Sequence, residues 1–151
     1  MEKQTARFGE ISYTQDDVIT FDGGLIGFPF LREFVLVEHK QGHSFQWLQS
    51  LDDGCTAFLV VNPNAYLPNY APEVSDQDAE ELALSDEAHV VVFATVSIPP
   101  GRPDDMTLNL AAPLVVNTAS RSGKQVVLDD DAYTIRHRVF PAAEKDEAIA
   151  A

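Results

Sequence analysis

A proline set inside an apolar alternation constrains this chain more than any other feature. In the run Asp105–Asn117, residues Leu108, Leu110, Leu114 and Val116 share one parity, with Thr107, Asn109 and Asn117 between them or closing them off. Side chains two apart along a strand face the same way, so these four form one inward face. Pro113 interrupts the run. It has no N–H to give a central ladder, so the chain must bulge, bend or run along an edge there. Ala119–Lys124 then reads as a hairpin-like turn into a further strand, Gln125–Leu128. This strand–bend–strand–turn–strand unit is expected at the centre of the fold.

The rest of the chain repeats the theme of short β-type runs and frequent breakers. Phe8–Tyr13 alternates loosely, with Gly9 placed for a bulge. Val18–Phe21 is a short strand that Asp22-Gly-Gly24 ends, and the following loop carries two apolar residues, Phe28 and Phe30. Glu33–Glu38 is a strand, with a turn at Lys40–His43. Phe45, Trp47 and Leu51 share a parity that Leu48 and Gln49 interrupt. Asp52-Asp-Gly54 is a turn, and Thr56–Asn62 is apolar on both parities, as a strand covered on both faces should be. His89–Ile98 is the longest β-type run and is again apolar on both sides. Tyr133–His137 forms a last short strand or arm.

One helix is expected, over Ser75–Leu84. Ser75 stands at the N-cap, and Asp76 and Asp78 complement the helix dipole in the first turn. Asp78 takes the capping-box position three residues after Ser75. So short a helix must dock on the sheet to persist. The pattern predicts an all-β, mainly antiparallel domain: a sandwich or a small β-barrel-like fold with one short docked helix. Residues 1–140 read as a single domain and 141–151 as a polar tail that frays.

Charge and cysteine content narrow the function. The formal net charge is −14. Direct nucleic-acid binding needs clustered Lys and Arg, so it is disfavoured, as is an anionic membrane surface. A basic protein partner suits that charge, and so does simple solubility. Cys55 is the single cysteine, which excludes an intramolecular disulfide. With no signal-peptide core and no spanning apolar run, a cytoplasmic location is expected.

Catalytic and metal signatures are weak. His39 and His43 flank a turn, His89 and His137 stand alone, and one cysteine makes no zinc pattern. No metal and no cofactor is expected. The carboxylate doublets, Asp52-Asp53 among them, sit at turns, where Asp bonds its own backbone. The acidic group around the helix is more informative: Glu73, Asp76, Asp78, Glu80, Glu81, Asp86 and Glu87 occur with no Lys or Arg among them. It is either a solvated face or the footprint of a basic partner.

Taken in order, several pieces resemble the FliW family of bacterial flagellar assembly factors. They are Phe8-Gly-Glu10, Gly27-Phe28, Trp47-Leu-Gln-Ser-Leu-Asp-Asp53, Ala57-Phe58 with Val60-Val-Asn-Pro63, the stretch Met106–Asn117, Gly123–Leu128, and Tyr133 with Arg136-His137. The chain departs from the family at Asp22-Gly23, where Pro-Glu is common, at Gly54-Cys55, and in its tail after Phe140.

The resemblance implies a β-barrel-like, non-enzymatic protein with two protein partners. One is flagellin. The other is CsrA, a small basic RNA-binding repressor of flagellin translation. Flagellin holds the family's proteins until it is secreted. They then bind CsrA, away from its RNA site, and relieve repression. A protein of this kind is expected to be a monomer when free. Candidate contact residues are Phe28, Trp47, Asp52, Asp53, Asp76, Asp78, Glu80, Glu81, Asn109 and Asn117. The two asparagines have an alternative reading as satisfied turn or bulge residues. Two other function classes stay open: a small hydrolase using Asp52 or Asp53 with His137, and a barrel that holds a sugar or small acid in an apolar cavity.

Overall fold

A computed structural model of the chain describes residues 1–38, 45–84, 89–128 and 133–139. The strands are β1 (Glu2–Thr5), β2 (Gly9–Ser12), β3 (Ile19–Phe21), β4 (Glu33–Glu38), β5 (Phe45–Ser50), β6 (Ala57–Val61), β7 (Val90–Ser97), β8 (Thr107–Leu108), β9 (Leu114–Asn117), β10 (Ser122–Gln125) and β11 (His137–Arg138). Helix α1 spans Asp76–Glu81.

Seven strands close on themselves in the order β7-β6-β5-β4-β3-β10-β9, with β9 pairing back to β7. Every pair is antiparallel except β3–β10. Closure removes the exposed edges that so many strands would otherwise present. The fold is the expected all-β barrel with one short helix.

The bend at Pro113 is what lets one segment serve two neighbours. β8 pairs with β7 at Val96↔Leu108, the chain then bends, and β9 pairs with the earlier half of β7 at Phe93↔Leu114. Asn109–Pro113 is the corner between them. Pro113 still accepts Val126 N–H at its carbonyl (2.9 Å).

Alternation sorts the apolar residues into three cores. Phe21, Phe34, Leu48, Val60, Phe93 and Leu114 point into the barrel, where Phe21 and Phe34 meet edge to face at 5.5 Å. The opposite parity of β6 and β7 (Val61, Ala94) packs outside the barrel against Tyr70, Leu108 and Leu110. A third cluster, Leu82 with Val115 and Val126, seats α1 on the outside of β9. This explains why β6 and β7 are apolar on both parities. Full burial of one such side chain is worth about 1.5–3 kcal/mol.

Several expectations are corrected. Glu2–Thr5 is a strand although it is largely polar: β1 pairs with β2 in a hairpin, and Gly9 closes its turn with φ +66° rather than forming a mid-strand bulge. The hairpin lies over the outside of β5, with Ala6 N–H bonded to Gly54 C=O (2.9 Å). That cover buries outward-facing Gln49, while Leu48 is buried on the opposite, barrel-facing side, so apolar and polar residues in a row are all buried and the alternation is broken. The turn after β9 is tighter than expected. Arg121 takes a left-handed φ of 57°, so β10 runs Ser122–Gln125 instead of Gln125–Leu128. Left-handed Ala83 ends the helix early, at Glu81. The last strand is His137–Arg138, while Thr134 accepts Leu110 N–H. The turn at Lys40–His43 and the tail 141–151 lie outside the described residues.

Candidate functional site

Two surfaces gather most of the residues singled out by the sequence. The first is an apolar groove of about 650 Å³ at one end of the barrel. It opens between the start of β6 and the end of β7, and it is rimmed by Ile26, Ile98, Val127 and Ile135, all exposed. Its lining includes no charged side chain. An exposed apolar patch of this kind marks an interaction site more often than an isolated exposed residue does.

Trp47 and Asn109 line this groove. Trp47 lies on the outside of β5 opposite Leu59 of β6, with the Arg7 guanidinium 4.0 Å over its ring and Phe8 against its edge. Phe28 is 43% exposed and stacks edge to face on Phe58, another lining residue, at 5.1 Å. The left-handed Gly24 allows the close return of its loop: a Cβ there would meet Pro29 Cα at 2.6 Å.

Gln125 went unrecognised in the sequence, yet it ties the groove's two walls together. Its Oε1 accepts Ile26 N–H (2.8 Å) and its Nε2 donates to Ala112 C=O (3.1 Å). It therefore locks the Phe28 loop to the corner that follows β8. A glutamine reaching across 99 residues leaves no local signal.

Asn109 accepts Ala112 N–H at its own Oδ1 (3.0 Å), which shapes that corner while the residue stays half-buried at the groove. Asn117 is different. It is buried, with 6% exposure, and donates to the carbonyls of Leu82 (2.8 Å) and Ala83 (3.2 Å). Its Oδ1 accepts Ala119 and Ser120 N–H. The side chain faces inward and clamps the end of α1 to β9, so the structure places it beneath the surface instead of on it.

The second surface is the acidic face of α1. Ser75 Oγ accepts Asp78 N–H (3.1 Å) as the N-cap. Asp76, Glu80 and Glu81 are exposed. No Lys or Arg occurs among them in sequence, but a cation reaches them from Lys124 of β10, whose Nζ bonds Asp78 (2.5 Å) and Glu81 (2.6 Å). The hydrogen bond from Lys124 is the main cause holding both carboxyls below their ordinary pKa values. Lys124 is raised in return, chiefly by Asp78. Asp86 and Glu87 lie outside the described residues.

Asp52 and Asp53 join neither surface through their carboxylates. Asp52 Oδ2 accepts the N–H groups of Arg32 (2.7 Å) and Glu33 (2.8 Å), tying the start of β4 to the β5–β6 turn. Asp53 accepts Cys55 N–H and the Thr56 hydroxyl, which hold its carboxyl below the usual range. His137 belongs to β11, paired opposite Leu108. The barrel interior is filled by the side chains of the first core.

With this geometry in view, a profile of the FliW protein family matches residues 2–139. The flagellar assembly factor FliW of Magnetococcus marinus is 37% identical over 147 residues, covering 97% of this chain and 90% of that protein. The factor of the same description from Thermosipho africanus is 37% identical over 137 residues, covering 91% and 94%. A crystal structure of the flagellar assembly factor FliW superposes with a TM-score of 0.85 at 32% identity, covering 93% of this chain and 98% of that one.

Proposed function

The chain belongs to the FliW family, and on that premise we propose that it is a non-enzymatic flagellar assembly factor that binds flagellin. When released from flagellin it binds the translational repressor CsrA and relieves repression of flagellin synthesis. It acts in the cytoplasm, without a cofactor, as a partner switch distributed between two proteins.

What carries this reading is that the likeness runs through the whole barrel rather than one loop. Both surfaces described above fall within the matched residues. An apolar groove with polar neighbours suits a protein partner, and an acidic face suits a basic one. Asp52 is committed to main-chain N–H groups at the start of β4 and Asp53 to its own turn, which removes the support for a hydrolase built on them with His137. A filled interior likewise argues against a barrel that encloses a small ligand.

The test is direct binding. Purified flagellin and purified CsrA are each titrated against the full chain by calorimetry. Each should bind with micromolar affinity or better. Binding by neither at micromolar concentration ends the proposal.

A further inference from the structure

Among the described residues, the β1–β2 hairpin pairs with no barrel strand and contributes no side chain to the three cores. One main-chain bond joins it to the barrel, Ala6 N–H to Gly54 C=O. At its tip Arg7 stacks over the Trp47 ring and Phe8 meets the ring edge. Lys3 adds a weaker attraction to Asp53. A two-stranded hairpin is marginal on its own, so this one persists only while these contacts last.

Beneath it one polar group lacks a partner. Gln49 is wholly buried, and its Nε2 donates to the carbonyls of Ser50, Gly54 and Thr56, yet no protein group donates to its Oε1. Burying an acceptor without a bond costs stability, and lifting the hairpin returns that acceptor to water. A polar cleft of about 380 Å³ lies at the hairpin tip, lined by Ala6, Arg7, Gln49, Gly54, Cys55 and Ala57. Ala57 also lines the apolar groove, as does Trp47 under Arg7. The tip therefore stands where cleft and groove meet.

We propose that the β1–β2 hairpin is a displaceable cover that closes one end of the groove in the free chain. As it lifts, the barrel stays folded, and groove and cleft become one surface running past Trp47 and Gln49. The inference rests on the reading of this chain as a protein-binding factor, and it makes the hairpin an internal competitor of the partner. The lengthened surface suits a segment with apolar residues for the groove and, at its Trp47 end, a side-chain amide or hydroxyl that donates to Gln49 Oε1. Gly54 permits the closed state: a Cβ there would collide with the Gln4 carbonyl oxygen. Its φ is not left-handed, so Gly54→Ala strains the hairpin contact and not the turn's own backbone.

The experiment combines native-state hydrogen exchange of the full chain with acrylamide quenching of Trp47, the single tryptophan. The amides of β1, β2 and Ala6 should exchange through one shared opening, at least about tenfold more frequent than the opening of β4 and β5. Gly54→Ala should raise that opening about tenfold and expose Trp47 to acrylamide, with the β4 and β5 amides unchanged. The double variant Arg7→Ser, Phe8→Ser removes the tip contacts without a clash and should act the same way. A larger open fraction lowers the apparent Kd in proportion, so Gly54→Ala should bind flagellin or CsrA about tenfold more tightly.

Hairpin amides that exchange only together with the barrel overturn the proposal, as does a Trp47 no more open to acrylamide in either variant. Binding of both proteins that is unchanged or weakened by Gly54→Ala overturns it too. Should neither protein bind, the flagellar reading fails separately, and exchange and quenching decide the cover. If Gly54→Ala fails to fold, the double variant and the unaltered chain decide it.

Discussion

At the scale of single residues, the buried amides hold parts together that the chain keeps far apart. Asn117 satisfies two carbonyls at the end of α1 and two N–H groups of the next turn. Asn117→Ala should lower stability by about 2 kcal/mol in urea unfolding, since several buried groups lose their partner at once. Asn109→Ala loses the bond to Ala112 N–H at a half-buried site, and about 1 kcal/mol is expected. If Asn109 also meets a partner at the groove, binding should fall by more than this loss accounts for. Gly123 faces the barrel interior, where a Cβ would lie 2.7 Å from the Phe21 ring. Gly123→Ala should therefore cost about 1–3 kcal/mol by overpacking, read from the same unfolding curves. The sequence showed that Asn109 and Asn117 were out of place in an apolar run. It could not show which distant groups they serve, because Leu82 and Asn117 meet only once the barrel is closed.

At the scale of elements, α1 is a marginal helix that stays in place by contacts outside itself. Leu82 packs against Val115 and Val126, Asn117 holds the helix end, and Lys124 ties down two of its carboxylates. The helix and its Ser75 cap were legible because capping is local. The neutralising lysine was not, since it arrives from a strand more than forty residues later. A carboxylate whose folded pKa is lowered stabilises the fold above its ordinary value and ceases to do so as pH falls through the folded one. Asp78 and Glu81 are both lowered, from 3.8 and 4.5. Lys124 is raised above 10.5, so its share is complete below that value and lost as pH rises through the folded pKa. The clamp therefore works from about pH 4.5 to 10.5. Lys124→Met should speed exchange of the α1 amides at pH 7, and the effect should shrink progressively as pH falls below the ordinary carboxylate values through the lowered folded ones. An effect that does not change with pH would show that Lys124 acts by packing alone.

At the scale of the whole molecule, the barrel was readable as many short strands broken by turns, and the bend at Pro113 was readable from one residue. The closing contact was not. β3 meets β10 in the single parallel pair, a matter of long-range topology that alternation does not encode. The β1–β2 hairpin was also hidden, because its strands are largely polar and lie over β5 as a cover. The groove was hidden for a related reason: its walls come from seven separate parts of the chain. Net charge acts at this scale too. With −14 on the chain, the proposed association with basic CsrA should be steered by the field, and its rate should fall steeply as salt rises. Stopped-flow rates indifferent to salt would remove the electrostatic part of the account.

The central claim is that one small barrel is shared between two competing proteins. It is tested most directly by preforming the complex of this chain with CsrA and titrating in flagellin, while following bound CsrA by fluorescence anisotropy. The account predicts that flagellin releases CsrA until none remains bound. CsrA that stays bound while flagellin joins it in a three-protein complex, or flagellin that has no effect at all, would contradict it.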